Sequence, residues 1–266
     1  MTTSPARPFD PWAGEYDRYR PGYPDALFDE IASRLSVPAD ARVVDLGAGT
    51  GIATFAMARR GWRVTAVEPG TAMLDQLRNR AASANLAVEA VEASAESTGL
   101  PDAAFHLATA AQAFHWFDKP RAVAEMARIV RPGGGVALFW NVRRAEASPI
   151  VAGYERLIER FFGDAGIGQY LQHGRETEEA AIRAAFASSD AFGDVTYTEP
   201  RHETEVDAES FISMAFTASY VRRLDLDEQA RLRAELESLL AANGVRDEPF
   251  SIPYRIDLWT ARRSDR

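Results

Sequence analysis

A glycine-rich stretch near the start of the chain could hold a nucleotide-like ligand. The segment VVDLGAGTG, residues 43–51, places Gly47, Gly49 and Gly51 between an apolar run and apolar positions at helical spacing. A strand, a tight turn and a helix in this order expose backbone N–H groups that can bind an anion. However, the spacing is G-x-G-x-G, and Asp45 before the first glycine would oppose a phosphate. The loop therefore favours a ligand without phosphate over a dinucleotide such as NAD.

A second acidic residue is in register with this loop. Glu68 ends the next predicted strand, 19 residues after Gly49. An acidic side chain at that place can accept hydrogen bonds from both hydroxyls of a ribose, which excludes a ribose 2′-phosphate. The alternative is a solvated carboxylate at a strand end. The spacing favours a ribose contact.

The stretch QAFHWF, residues 112–117, contains a candidate catalytic side chain. A histidine can hydrogen-bond a substrate oxygen or accept its proton near neutral pH, so His115 could serve either purpose. Simple core packing is the alternative for an aromatic group, and we expect it for Phe114 and Phe117.

Composition excludes several function classes. A chain of 266 residues, of which 46% are hydrophobic, can form one full domain with insertions. A formal charge of −9 gives little support for binding nucleic-acid phosphates, so we expect a small molecule or a protein as partner. The absence of cysteine excludes disulfides, thiolate metal sites and cysteine nucleophiles. The four histidines show no metal-ligand clustering, so we expect no metal.

The sequence contains no signal for export or membrane insertion. The first residues, MTTSPARPFDPW, lack the apolar core of a signal peptide, and no apolar run approaches the roughly 18 residues of a membrane span. We therefore expect a cytoplasmic protein without a membrane partner. The oligomeric state stays open.

Strands and helices alternate along the chain and position these side chains. The stretches LAVEAVEAS, AFHLATAAQAF and GVALFWN read as the third, fourth and fifth strands, and KPRAVAEMARIVRPGG reads as a helix ended by Pro132 and two glycines. This alternation predicts an α/β fold with a doubly wound, mostly parallel sheet of the Rossmann-like type. Ligands bind such sheets at the carboxyl ends of the strands, where the polar residues above fall.

The carboxyl-terminal half adds helices and two further strands. DVTYTEPRH and PFSIPYRIDLWTARR read as strands, the latter antiparallel, which completes a seven-stranded sheet. Helical stretches over about 145–190 and 207–245 are expected to form a cap over the ligand.

Four motifs in this order resemble the class I S-adenosylmethionine-dependent methyltransferases. VVDLGAGTG matches the first motif, AVEPG with Met73 the second, EASAESTGLPD the third, and IVRPGGGVALFWN leads into the fifth strand. The resemblance implies S-adenosylmethionine as cofactor. That molecule carries a sulfonium and an ammonium but no phosphate, so the charge of Asp45 becomes favourable. The resemblance implies cofactor contacts from Asp45, Gly47, Ala48, Gly49, Gly51, Glu68, Pro69, Met73, Ser94, Ala95, Glu96 and Gln112.

The third motif concerns the adenine ring. Relatives usually carry a polar or acidic side chain at the place of Ser94, which leaves the partner of the exocyclic amine open. Ala95 can still offer its backbone N–H to a ring nitrogen. For Glu96, an adenine contact and a cap on the following turn are both open.

Two further stretches resemble a narrower group, the trans-aconitate and cantharidin-type carboxyl methyltransferases. These are FDPWAGEYDRYRPGYPDALFDEI and AAQAFHWFD. In that group the amino-terminal segment closes over the cofactor, so residues 1–37 are expected to be lid helices and 38–266 the methyltransferase domain. Tyr16 and Arg20 would then contact the methionine part and its carboxylate, the alternative being a helix that packs on the sheet.

The expected function is methyl transfer from S-adenosylmethionine to a small molecule, at a carboxylate or hydroxyl oxygen. Expected acceptor contacts are His115, Trp116, Asn141, Arg143 and Tyr220. Arg143 and Arg144 could bind an acidic substrate, the alternative being a solvated pair before a helix. Tyr220 could instead be part of an ordinary core with Phe211, Met214 and Phe216. An NAD-dependent dehydrogenase is disfavoured by the loop. A cofactor-binding protein that transfers no methyl group is an open alternative, because binding and catalysis use different residues.

Overall fold

A sheet of eight strands forms the centre of the computed structural model, which describes residues 20–166, 175–218 and 220–265. The strands are β1 (Arg42–Leu46), β2 (Arg63–Val67), β3 (Val88–Val91), β4 (Phe105–Ala111), β5 (Val130–Arg143), β6 (Thr196–Thr198), β7 (Arg201–Val206) and β8 (Phe250–Arg262). The helices are α1 (Asp25–Leu35), α2 (Ile52–Arg59), α3 (Thr71–Ser83), α4 (Lys119–Ile129), α5 (Pro149–Gly166), α6 (Arg175–Ala187), α7 (Ala208–Phe216) and α8 (Leu226–Ala242).

The sheet is mostly parallel and doubly wound, as predicted. Its strand order is β3-β2-β1-β4-β5-β8-β6, and β7 also pairs with β8. Strands β1 to β5 are parallel to their neighbours, whereas β8 is antiparallel to β5, β6 and β7. The chain passes from one half of the sheet to the other between β3 and β4. The switch point therefore lies between β1 and β4, where open α/β sheets bind ligands.

The predicted number of seven strands is wrong by one, because a proline divides a predicted strand. DVTYTEPRH gives β6 and β7 instead of one strand, with Glu199 and Pro200 between them. Proline has no N–H to donate to the ladder. Its carbonyl still accepts from the Ile256 N–H at 2.7 Å, so both halves stay on β8.

The boundary between α4 and β5 also differs from the prediction. The helix ends at Ile129, and the residues VRPGG belong to the strand. A proline disfavours the helical backbone conformation of the residue before it, so Arg131, which precedes Pro132, does not continue the helix. At its other end β5 passes the last residue paired with β4, Phe139, and runs on to Arg143 against β8 alone. This extension carries Asn141 and Arg143 beyond the parallel part of the sheet.

Separate clusters of buried side chains hold the sheet and the added helices together. One face of the sheet packs against α4 and α6, and the other against α1 and α2. Helices α5, α7 and α8 share a further cluster with Ile252 and Tyr254 of β8. These three helices, which we call the cap, therefore have an apolar core of their own. No helix within the described ranges is long and apolar enough to cross a membrane.

The division into a lid of residues 1–37 and a methyltransferase domain of residues 38–266 stays a prediction. Of residues 1–37, the part from residue 20 onward is described and contains α1, whose Leu27, Phe28 and Ile31 are buried against the sheet. The assignment of 1–37 as a lid stays a prediction.

Candidate active site

A cavity of about 320 Å³ opens at the carboxyl ends of β1, β2, β4 and β5. Most residues predicted to contact a cofactor or an acceptor line it. Those predicted for the cofactor are Arg20, Gly47, Ala48, Gly49, Glu68, Pro69, Met73, Ser94, Ala95, Glu96 and Gln112. Those predicted for the acceptor are His115, Trp116, Asn141, Arg143 and Tyr220. Asp45 and Gly51 do not line the cavity, and Tyr16 lies outside the described residues.

The glycine loop between β1 and α2 uses its amides within the protein. The N–H groups of Gly47 and Ala48 donate to the Val67 carbonyl at 2.8 and 3.0 Å, and that of Gly51 donates to the Ala48 carbonyl at 2.9 Å. The Gly49 N–H donates to Oε2 of Glu68 at 3.0 Å. These amides are therefore not available to bind a pyrophosphate, which supports the predicted preference for a ligand without phosphate.

Two glycines of the loop are needed for different reasons. Both have left-handed backbones, with φ of 68° at Gly47 and 57° at Gly49. A Cβ on Gly47 would lie 2.7 Å from Cβ of Ala113, so this glycine lets the loop pack against the residues after β4. A Cβ on Gly49 would meet no atom within 4 Å, so it would occupy the cavity itself. Gly51 instead caps α2 with φ 90° and packs on Phe55.

Glu68 fixes the loop and still faces the cavity. One carboxylate oxygen accepts from the Gly49 N–H, and the other accepts from the Gly70 N–H at 2.8 Å. The residue is only 8% exposed, and that exposed part belongs to the cavity wall. A carboxylate has about four lone-pair sites, more than the two that these amides use. The side chain is thus oriented by two amides and can still bind a pair of hydroxyls.

Asp45 is buried and does not line the cavity, so its predicted contact with the cofactor stays a prediction. Its two oxygens accept from the hydroxyls of Thr54 at 2.6 Å and Thr109 at 2.9 Å. Burial raises the pKa of Asp45 to about 6, although both threonine bonds oppose the shift. Asp45 therefore ties β1 to α2 and β4. The threonines were not predicted, because the distance between β1 and β4 is not visible in the sequence.

The segment Ser94–Glu96 closes the cavity on the β3 side. The backbone of Ser94 is bridged to Ser97, and Ala95 is buried. One carboxylate oxygen of Glu96 accepts from the Asp118 N–H at 2.9 Å, at the residue that caps α4. Glu96 therefore binds the start of α4, 22 residues further along the chain, and not the turn that directly follows it. It also lines the cavity, and its contact with adenine stays a prediction.

Gln112 and Asn141 form the wall at the ends of β4 and β5. Gln112 has a left-handed backbone, with φ 55°, and its side-chain amide donates to the Asn141 carbonyl at 3.3 Å. The Asn141 side chain donates to the Gly22 carbonyl at 3.1 Å, and its oxygen lies 2.8 Å from Nε2 of His202. Asn141 therefore joins the chain before α1 to β7 across the cavity. His202 was not predicted to take part.

His115 and Trp116 lie on a single 3-10 turn, Phe114–Trp116, that follows β4. Phe114 is fully buried, as predicted, and anchors the turn. His115 and Trp116 are exposed, with ring centres 5.1 Å apart, and both line the cavity mouth. Phe117 is partly buried and lines the cavity, so it is not solely a core residue as predicted.

Arg143 lies among tyrosines at the other side of the cavity. Its guanidinium is 4.8 Å from the centre of the Tyr154 ring, and it hydrogen-bonds to Tyr254. Burial would lower the pKa of Arg143, but the tyrosine oxygens around it raise that pKa above its usual value, so it stays a cation. The hydroxyls of Tyr154 and Tyr220 lie 3.1 Å apart. We call Arg143, Tyr154, Tyr220 and Tyr254 the arginine–tyrosine cluster.

The two arginines considered together in the sequence, Arg143 and Arg144, have different surroundings. Arg144 lies outside the cavity and binds Glu146 at 2.9 Å, as a surface ion pair does. Tyr220 lines the cavity, whereas Phe211 and Met214 are buried in the cap core. Tyr154 and Tyr254 were missed, because nothing near them in the sequence indicates that α5 and β8 meet at Arg143.

Within the described ranges, no group of three or more histidine, aspartate or glutamate side chains could hold a metal ion.

Similar proteins indicate the family. A family model described as a methyltransferase domain matches residues 44–138, from β1 into β5. An uncharacterized methyltransferase of Mycobacterium tuberculosis is 43% identical over 258 residues, which cover 91% of this chain and 89% of that protein.

Solved structures agree with this similarity. A structure described as a type II methyltransferase from Anaeromyxobacter dehalogenans is 27% identical, with a TM-score of 0.68, and the match covers 93% of this chain and 100% of that one. A phosphoethanolamine N-methyltransferase from Haemonchus contortus, solved with S-adenosylhomocysteine, is 15% identical with a TM-score of 0.57, covering 99% of this chain and 61% of that one. The second match shows a shared fold alone.

Proposed function

This chain belongs to the S-adenosylmethionine-dependent methyltransferases, and we propose that it methylates a small molecule at an oxygen atom. Methyl transfer and the cofactor follow from the family. The acceptor is the proposed part. The arrangement of charge around the cavity is the observation that supports it.

The residues at one end of the cavity fit S-adenosylmethionine. Gly49 leaves open space where a Cβ would project, and both oxygens of Glu68 can accept bonds from a ribose. The Ala95 amide is suited to a ring nitrogen of adenine, and Arg20 to the methionine carboxylate. When bound, the cofactor supplies a sulfonium methyl group that an acceptor oxygen can attack in line. We call this the cofactor end.

The opposite end, which we call the acceptor end, has a different charge. Arg143 lies there with its tyrosines, and His115 and Trp116 form its mouth. Of the described residues that line the cavity, the acidic ones are Glu68 and Glu96, and both belong to the cofactor end. A cationic or amine acceptor would find no carboxylate there and would be repelled by Arg143. An oxygen nucleophile, particularly an anionic one, would be attracted.

Proton transfer is a small part of this reaction. A carboxylate acceptor needs no base, and for a hydroxyl acceptor the base would be His115, which lines the cavity. The remaining task is to hold the acceptor oxygen in line with the methyl carbon, and the rigid walls formed by Gln112 and Asn141 serve this purpose.

The proposal is tested by offering the protein ¹³C-methyl-labelled S-adenosylmethionine with matched carboxylic acids, phenols and amines. Mass spectrometry and ¹³C NMR would identify the product. We expect labelled O-methyl products, with an equal amount of S-adenosylhomocysteine. Turnover should fall in Glu68→Ala, where cofactor binding is weakened, and stay unchanged in Arg144→Met, which lies outside the cavity. Labelled N-methyl products alone would contradict the proposal. Cofactor binding without any product would favour a binding protein that transfers no methyl group.

A further inference from the structure

We propose that the arginine–tyrosine cluster is a receptor for a carboxylate group of the methyl acceptor. This inference rests on the proposed function, because it assumes that the acceptor binds at the acceptor end. It goes further by naming the chemical group that the protein recognises and the residue that recognises it.

Arg143 lines the cavity from a part of the fold that differs from the part carrying the glycine loop. It is the last residue of β5, in the part of that strand that pairs with β8 alone, and it lies opposite Tyr254. Its described contacts come from α5, through Tyr154, and from β8, through Tyr254. Neither element belongs to the glycine loop or carries Glu68. Arg143 is therefore held by the cap and by β8, which are not the elements that carry the glycine loop and Glu68.

Arg143 lacks a direct anionic partner. Its Nε is buried and makes no hydrogen bond, and no salt bridge involves it within the described ranges. Glu155, on α5, is the carboxylate whose charge it influences: burial raises the pKa of Glu155, and Arg143 partly opposes that shift. By contrast, the adjacent Arg144 has a carboxylate 2.9 Å away. A buried cation without an anionic partner costs free energy, and an anionic ligand would lower that cost.

The groups around Arg143 suit a carboxylate. The Tyr154 and Tyr220 hydroxyls form a pair at 3.1 Å, and the Tyr254 hydroxyl lies 3.7 Å from the Met214 sulfur. Burial and then the neighbouring Tyr154 raise the pKa of Tyr220 well above its usual value, so its hydroxyl stays neutral and keeps its proton. A planar guanidinium with phenolic hydroxyls beside it offers a set of donors that matches the planar, two-oxygen geometry of a carboxylate.

The methionine carboxylate of the cofactor is a competing occupant. Arg20, which lines the cavity next to Pro21, is the residue we assign to that group. The two arginines both act on Tyr220, since both oppose the rise of its pKa. The cavity therefore contains two cations close to one hydroxyl, and a substitution of Arg143 must be tested against the affinity for the cofactor as well.

The test measures binding of simple carboxylates to the protein saturated with S-adenosylhomocysteine. The probes are hexanoate, benzoate and succinate, with hexanamide, benzamide and succinamide as neutral counterparts, followed by ligand-observed NMR. We expect at least one acid to bind saturably and its amide to bind at least about tenfold more weakly. Arg143→Met should weaken binding of that acid by about 10- to 100-fold, the range for hydrogen bonds to a charged group. Its affinity for S-adenosylhomocysteine should change less than about twofold by this account.

Two further variants keep the test decisive. Arg144→Met removes the same charge from the next residue and should leave acid binding unchanged. Tyr220→Phe removes one hydroxyl and no charge, and should weaken binding of the acid at least about tenfold, the lower end of the range for a hydrogen bond to a charged group. It replaces Arg143→Met as the deciding variant if circular dichroism shows that the latter does not fold.

Three results would overturn the inference: none of the acids binds, the deciding variant binds them as the parent protein does, or affinity for the cofactor product falls together with acid binding. The inference and the proposed function can fail separately. An acid that binds through Arg143 but never receives a methyl group contradicts the proposed function alone. Methyl transfer to a neutral phenol, with no acid binding, contradicts the carboxylate receptor alone.

Discussion

At the scale of single residues, Glu68 both holds the glycine loop in place and lines the cofactor end of the cavity. Two backbone amides orient its carboxylate, and they belong to the glycine loop and to the start of α3. We propose that the same oxygens accept hydrogen bonds from the ribose hydroxyls. The position of Glu68 beside the glycine loop could be predicted from the sequence, because its type and its distance from the loop are both local properties.

Glu68→Ala should weaken the binding of S-adenosylhomocysteine by about 1.5 to 3 kcal/mol, the range for hydrogen bonds to a charged group. Titration calorimetry measures this directly. Glu92→Ala, which removes an exposed carboxylate one residue after β3, is the matched control and should bind as the parent protein does. An unchanged affinity in folded Glu68→Ala would remove the ribose assignment.

The raised pKa of Asp45 predicts that the stability of the protein depends on pH. Its pKa is raised to about 6 in the folded protein from an ordinary value of 3.8, chiefly by burial. The folded state therefore binds the proton more tightly, and ionisation of Asp45 lowers stability as the pH rises from about 4 to about 6. Asp45→Asn cannot ionise and should be spared this loss.

The free energy of unfolding of Asp45→Asn, relative to the parent, should consequently rise by up to about 1.4 kcal/mol per pH unit in this interval. Urea denaturation of both proteins at several values of pH gives the difference. A difference that does not depend on pH would show that Asp45 titrates normally.

At the scale of elements, two glycines of the loop have different roles: Gly47 is needed for packing and Gly49 for space in the cavity. Gly47 and Gly49 both have left-handed backbones, so alanine at either position costs about 1 to 2 kcal/mol. Gly47→Ala also forces a clash with Ala113, whereas Gly49→Ala places a methyl group in the cavity.

Gly47→Ala should therefore lower the stability of the free protein more than Gly49→Ala does. Gly49→Ala should lose more cofactor affinity than its loss of stability explains. Denaturation and calorimetry on the two variants measure both quantities. Equal losses of stability, with cofactor affinity retained in Gly49→Ala, would contradict this division of roles.

The sequence predicted elements well where their signals are local. The order and parallel direction of β1 to β5 followed from the alternation of apolar runs, glycines and helical spacing. Two predictions that involve prolines were wrong. Pro200 divides a predicted single strand into β6 and β7. Pro132 was predicted to end α4, but the helix ends earlier, at Ile129, and Pro132 lies inside β5. In both cases the proline was recognised, but its consequence depends on which strand lies beside it.

At the scale of the whole molecule, the acceptor end is assembled from parts that are distant in sequence. Arg143 ends β5, Tyr154 comes from α5, Tyr220 from the segment after α7, and Tyr254 from β8. Only the pairing of β5 with β8 and the packing of the cap bring them together. The residues that we assign to the cofactor end lie in local motifs, so their grouping around one cavity could be predicted from the sequence. The residues of the acceptor end are grouped by tertiary assembly, so their grouping could be predicted only in part.

The most direct test of the account is a crystal structure of the protein with S-adenosylhomocysteine. The account predicts that the ribose hydroxyls bind Glu68, that the adenine lies against Ser94–Glu96, and that the sulfur faces the acceptor end, which contains His115 and Arg143. Arg143 should make no contact with the cofactor. A ligand whose ribose lies away from Glu68, or whose carboxylate binds Arg143, would contradict the division of the cavity into a cofactor end and an acceptor end.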